Sequence, residues 1–208
     1  MKMKFLGPIL AGLMLIGGTA QAAVLSLDLT NSTPGVLPGN FNPSGAPGVG
    51  PGTPITIYSG PAIAGSVGGL KIDTAANVKF EFVGKEAGAA NTFDLGGDLF
   101  NTNTSVPGSS AQVNVAAGII PFLFHTGALS AQNGGPIAAN LSIAFANLGH
   151  GSFLALFNDG PIDSDFDDMV VRVSVSAVPL PAAAWLLISA VLGLVSFSRI
   201  RRNGPQTV

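Results

Sequence analysis

Residues 23–177 predict an all-β domain, an antiparallel β-sandwich of jelly-roll-like kind. Three observations point there. Gly, Pro, Asn, Ser and Thr interrupt this stretch at intervals of roughly eight to twelve residues, the spacing of turns between short strands. No run carries the apolar period of a long amphipathic helix. Where apolar residues recur they alternate with polar ones, as in Val78-Lys79-Phe80-Glu81-Phe82 and in Met169 to Ser176, where Arg172, Ser174 and Ser176 fall between the valines.

The elements follow in chain order. Lys2 and Lys4 precede an apolar stretch from Phe5 to Gly18, and Ala20-Gln21-Ala22 fits the small-x-small cleavage rule. Residues 1–22 are therefore expected to be a signal peptide cut after Ala22. Val24 to Leu29 reads as a first strand. Thr33 to Pro54 is rich in Gly and Pro and is expected to be a surface or mobile loop with little to bury.

Ile55 to Tyr58 is a short strand, and Val78, Phe80 and Phe82 face inward on the next. Gly96-Gly97 marks a turn within Phe93 to Phe100. Gln112 to Ala116, Pro121 to His125, Leu141 to Phe145 and Phe153 to Phe157 are further strands, the last two joined by Gly149-His150-Gly151. The Ala-rich stretch from Ile137 to Ala146 is also compatible with helix. Met169 to Ser176 closes the domain, giving about eight or nine strands.

After the domain the composition changes. Ala182 to Phe197 carries no charge, Trp185 sits near its start, and Arg199, Arg201 and Arg202 follow. With its flanks the run approaches the ~20 residues a bilayer core requires. An interfacial Trp and a basic stop suit a single transmembrane helix over 182–200 with its arginines on the cytoplasmic side. Residues 203–208 then form a short cytoplasmic tail.

Charge narrows the function classes. All eleven acidic residues lie in residues 23–177 and are opposed there only by Lys71, Lys79, Lys85 and Arg172. The domain is thus near −7, against a formal −2 for the whole chain, and repels nucleic acid. The chain has no Cys, which excludes thiol catalysis and Cys-ligated zinc. Its two histidines, His125 and His150, are too few for a His-rich metal site.

Phe80, Phe82, Phe122, Phe124, Phe145, Phe153 and Phe157 are expected in the core. Tyr58 is the only Tyr, and Trp185, the only Trp, lies in the tail, so an aromatic sugar platform is disfavoured. Glu81, Glu86, Asp94 and Asp98 are the candidate catalytic acids. Glu81 is expected to face solvent, and Lys85-Glu86 to form a turn with an internal ion pair. With no nucleophile or zinc-protease motif present, the chain is read as a non-enzyme.

The richest chemistry lies just before the last strand, where Asp159, Asp163, Asp165, Asp167 and Asp168 fall within ten residues. Calcium takes six to eight oxygen ligands, and such a segment supplies them. It is not an EF-hand, because the sixth and twelfth positions counted from Asp163 are Asp168 and Ser174. A solvated turn whose carboxylates cap backbone amides is the equal alternative. Phe166 is expected to anchor the segment in the core.

Two resemblances follow from these residues. The signal, the motif Val178-Pro179-Leu180-Pro181-Ala182, the apolar run and the arginines together resemble the PEP-CTERM class of exosortase-sorted proteins of Gram-negative bacteria, in its VPLPA-CTERM variant. Asn203 to Val208 extend beyond the point where such tails usually stop.

The resemblance implies a sorting signal over 178–202 and an exosortase as partner. It implies a precursor held in the inner membrane by its C-terminal helix, then a processed form at the cell surface or in the matrix. It also implies association with exopolysaccharide and biofilm. The acidic segment resembles the Asp-x-Asp-aromatic-Asn/Asp-Asp-Met/Leu-Val-Val stretch of exported bacterial β domains, with Asn158 where an upstream acid is common. The expected function is an exopolysaccharide-associated structural component of the surface. A calcium-dependent carbohydrate-binding or adhesion module is the alternative, and a secreted hydrolase the least supported one.

Overall fold

The structure, a computed structural model, describes residues 22–175 apart from 87, 89, 162 and 163, together with residue 190. Ala20, Asp163, the motif Val178–Ala182, the apolar run and the three arginines lie outside the described residues. Ala22, the residue before the expected cleavage, is exposed. Among the described residues no helix is long and apolar enough to cross a membrane.

Ala22–Ala177 form a compact unit. It is all-β, and its described strands pair antiparallel. The chain runs through β1 (Leu25–Asp28), β2 (Thr33–Val36), β3 (Pro54–Ser59), β4 (Gly69–Ile72) and β5 (Ala76–Gly84). It continues through β6 (Asn91–Asp94), β7 (Asp98–Asn101), β8 (Ser110–Val115), β9 (Gly118–Ile119) and β10 (Leu123–Thr126). β11 (Leu129–Gln132), β12 (Ser142–Gly149), β13 (Ser152–Asn158) and β14 (Met169–Val175) complete it. The region compatible with helix, Ile137 to Ala146, contributes instead to β12, because Ile143 and Phe145 pair across it with Tyr58 and Thr56 of β3.

Three sheets result. The largest has seven strands in the order β2-β3-β12-β13-β14-β5-β8, the second is β11-β10-β6-β7, and the third is β1-β4-β9. One face of the seven-stranded sheet packs on the four-stranded sheet through phenylalanines. Phe157 of β13 stacks on Phe124 of β10 with ring centroids 4.9 Å apart. Phe80 and Phe82 of β5 meet Phe93 and Phe100 at 5.5 and 6.1 Å. Each such pair adds about 0.5–1.5 kcal/mol beyond the area it buries, so the rings fix how the two layers sit.

The three-stranded sheet is tied in by polar groups. The Tyr58 hydroxyl donates to Asp28 O at 2.6 Å, and burial pushes its pKa up to about 12. Buried Asn133 acts as a surrogate strand: Leu70 N donates to its Oδ1, and its Nδ2 donates to Leu70 O and Ile120 O. Position 69 must be Gly, because a Cβ there would lie 2.0 Å from Asn133 Oδ1.

The opposite face of the seven-stranded sheet is also apolar, built from Ile55, Val83, Ala144, Ala146, Leu154, Leu156 and Val170. This departs from the expectation for Thr33 to Pro54. Its ends join β2 and β3, and residues 37–53 form a strap that covers this face. Leu37 and Phe41 are buried at 1% and 5% exposure, with Val49 packed beside them. The physical reason is that β13 is apolar on both faces, and an open apolar face must be covered.

The strap passes so close to β5 that a Cβ on Gly45 would lie 1.6 Å from Val83 O. Ser44 N donates to Lys85 O at 2.8 Å, and Lys85 N to Ser44 Oγ at 3.1 Å. Glu81 is likewise not a free surface acid. It pairs with Lys79 and with Arg172 Nη1, both at 2.8 Å, and Arg172 Nη2 donates to Pro47 O of the strap at 3.2 Å.

Candidate acidic site

The β13–β14 connection carries the acidic segment, and the fold divides its residues into two groups. Asp159 and Asp168 lie at its ends and bond to each other. Asp159 N donates to Asp168 Oδ2 at 2.7 Å. Buried Asn91, at the start of β6, donates from Nδ2 to Asp159 Oδ2 at 2.8 Å and to Asp168 O at 3.4 Å. Asn158 Nδ2 donates to Gly160 O at 2.9 Å, a bond that an acid at this position could not make. This end of the segment behaves as a capped turn.

Asp165 and Asp167 turn the other way and meet Glu86, which follows β5. One ligand oxygen from each of the three lies within 4.8 Å of the others. Asp165 and Asp167 are buried at 2% and 0% exposure, while Glu86 is exposed. Glu86 N donates to Asp167 O at 2.8 Å, which brings the β5–β6 and β13–β14 connections together. Glu86 thus belongs to this cluster rather than to a pair with Lys85; among the described residues no ion pair reaches Glu86 or Asp167.

The strap supplies the third wall. Asn40 Nδ2 donates to Asp165 Oδ2 at 3.0 Å, and Asn42 N donates to Asp167 Oδ2. Asp167 Oδ1 is buried and accepts no hydrogen bond. Burial pushes the Asp167 pKa up to about 7, opposed by the Asn42 N–H and reinforced by the Asp165 and Glu86 carboxylates. Phe166, between the two acids, is buried among the apolar residues under the strap, as the sequence suggested. It holds φ at 65°, a left-handed conformation that a bulky residue adopts only when its surroundings impose it. That backbone lets Asp165 and Asp167 flank an inward ring while both reach Glu86.

The remaining candidates do not converge. His125 Nε2 lies 3.8 Å from Asp94 Oδ2 on the four-stranded sheet. His150 occupies the β12–β13 turn with φ 51°. Sequence reasoning missed Glu86, Asn40 and Asn42 as members of the acidic site. The available signal was the Leu37 and Phe41 pair, two large apolar residues in an otherwise turn-like stretch.

No family model, curated protein or solved structure matches this chain.

Proposed function

We propose that this chain is an exported surface protein, sorted by an exosortase and acting as a structural component of an exopolysaccharide or biofilm matrix. In this reading residues 23–177 are a β-sandwich, jelly-roll-like ectodomain, and residues 178–202 are its sorting signal with a membrane helix over 182–200. The Phe157–Phe124 stack between two sheets supports the sandwich. The observation that carries the function is the order of the C-terminal segments. β14 ends at Val175, and Val178-Pro179-Leu180-Pro181-Ala182, an apolar run, then Arg199, Arg201 and Arg202 follow. Val178 to Ala182 are the recognition residues and the arginines are the membrane stop. The protein is the substrate of the sorting enzyme and performs no chemistry of its own.

The test is Pro179→Ala with Pro181→Ala in the source cells, followed by membrane fractionation. The proposal expects an uncut precursor held in the membrane. Release equal to that of the parent protein overturns it.

One observation favours a carbohydrate-binding or adhesion module as the second reading. Strand register places Ser130, His125, Thr92 and Asn101 in one row across β11, β10, β6 and β7. Alternation sets this row on the face opposite Phe124 and Phe93, where polar side chains suit sugar hydroxyls. Co-sedimentation with exopolysaccharide, lost on Thr92→Val with Asn101→Val, supports this reading, and no co-sedimentation removes it.

A further inference from the structure

We infer that Glu86, Asp165 and Asp167 bind a calcium ion, and that this ion latches the strap of residues 37–53 onto the seven-stranded sheet. The inference is independent of the sorting signal. It starts from the distances. Calcium–oxygen bonds of about 2.3–2.6 Å place two ligands of one ion at most about 4.6–5.2 Å apart. The three carboxylate oxygens lie within 4.8 Å of one another, which bonds of about 2.4 Å or longer span. Magnesium, with bonds of about 2.0–2.1 Å, spans at most about 4.0–4.2 Å between two ligands and prefers to keep its own waters. The donors are all oxygen, with no Cys in the chain and no His in the cluster, which disfavours softer metals.

A second observation points to a ligand. Asp167 is fully buried, yet its Oδ1 accepts no hydrogen bond. A buried carboxylate oxygen without a donor is costly unless a proton or a cation meets it. Two further carboxylates stand beside it, so the group concentrates negative charge where water is largely excluded. Glu86 is exposed and leaves an entry path from solvent.

The latch follows from the strap's hydrogen bonds. The carboxylates that would hold the ion also receive Asn40 Nδ2 and Asn42 N. Neutralising their repulsion fixes them as acceptors and thereby fixes the strap. Without the ion, a proton shared between Asp165 and Asp167 is the competing solution.

The experiment uses the full chain in mild detergent, stripped with chelator, then given calcium or an ionic-strength match of potassium. Hydrogen exchange over residues 37–53 and the thermal midpoint are read together. Calcium should slow exchange in the strap and raise the midpoint, and potassium should do neither. Glu86→Gln replaces an exposed side chain outside the core, so it tests the site without threatening the fold. It should weaken the apparent calcium affinity about tenfold or more. No calcium response, an equal potassium response, or an undiminished response in Glu86→Gln overturns the inference.

Discussion

Asn40 Nδ2 donates to Asp165 Oδ2 at 3.0 Å, joining two residues 125 positions apart. The bond ties the Gly- and Pro-rich strap to the acidic segment, two parts of the sequence with little in common by composition. The strap covers the outer face of the large sheet, and its fastenings lead to the acidic cluster, to Arg172 and to the end of β5. Stability and the candidate site are therefore coupled.

Gly45 tests that coupling at its closest approach. Gly45→Ala places a Cβ 1.6 Å from Val83 O, so the strap must lift and loosen Leu37 and Phe41. The expected cost is about 1–3 kcal/mol in denaturant unfolding. Gly39→Ala, whose Cβ meets nothing within 4 Å, should stay within about 0.5 kcal/mol of the parent.

Arg172 fastens the strap from the sheet side. Arg172→Lys keeps a cation near Glu81 but cannot also span to Ala46 O and Pro47 O as the guanidinium does. The expected loss is about 1 kcal/mol, since the pair is only partly buried. Faster amide exchange around residues 46–50, with β10 unchanged, is the accompanying readout.

These two positions show what the sequence reveals and what it conceals. β5 and β14 were readable because strict alternation reports one buried face, and Phe80 and Val173 are indeed register partners. β2, β4, β9 and β11 carry no strand signal in the sequence. They are two to four residues long, and β4 begins with a Gly imposed by contact with Asn133 rather than by local propensity.

The strap is hidden in the sequence because composition reports flexibility and not what two isolated apolar residues will cover. The continuous run from Phe153 to Phe157 already required cover on both faces. For the site, the density of Asp identified Asp165 and Asp167. Glu86 was hidden, because only the pairing of Gly84 with Val170 brings the end of β5 to the acidic segment.

Asn133 should be the most sensitive polar position in the core. Asn133→Ala strips Leu70 N, Leu70 O and Ile120 O of their side-chain partner. Buried polar groups left unmatched make this worth about 2–4 kcal/mol, measured by chemical denaturation. A loss under about 0.5 kcal/mol would show that Asn133 does not support β4.

Acid should loosen the first strand. The Val24 N–H donates to Asp73 Oδ1 at 2.8 Å and, with the Thr74 hydroxyl, holds the Asp73 carboxyl below the usual carboxylate range. A depressed folded-state pKa contributes stability above the unfolded value of 3.8, and that contribution is lost as pH falls through the folded value. Exchange of the β1 amides should therefore accelerate below about pH 4 relative to the intrinsic rate. Asp73→Asn should show faster β1 exchange already at pH 7, with a flatter response to acid.

The most direct measurement of the central claim is the intact mass of the protein recovered from the surface of the cells that make it. Sorting as proposed predicts a chain that begins at Ala23 and ends at or near Val178 to Ala182, without the apolar run and the arginines, apart from any group attached at the new terminus. A surface form that retains the sequence through Val208 would contradict the account.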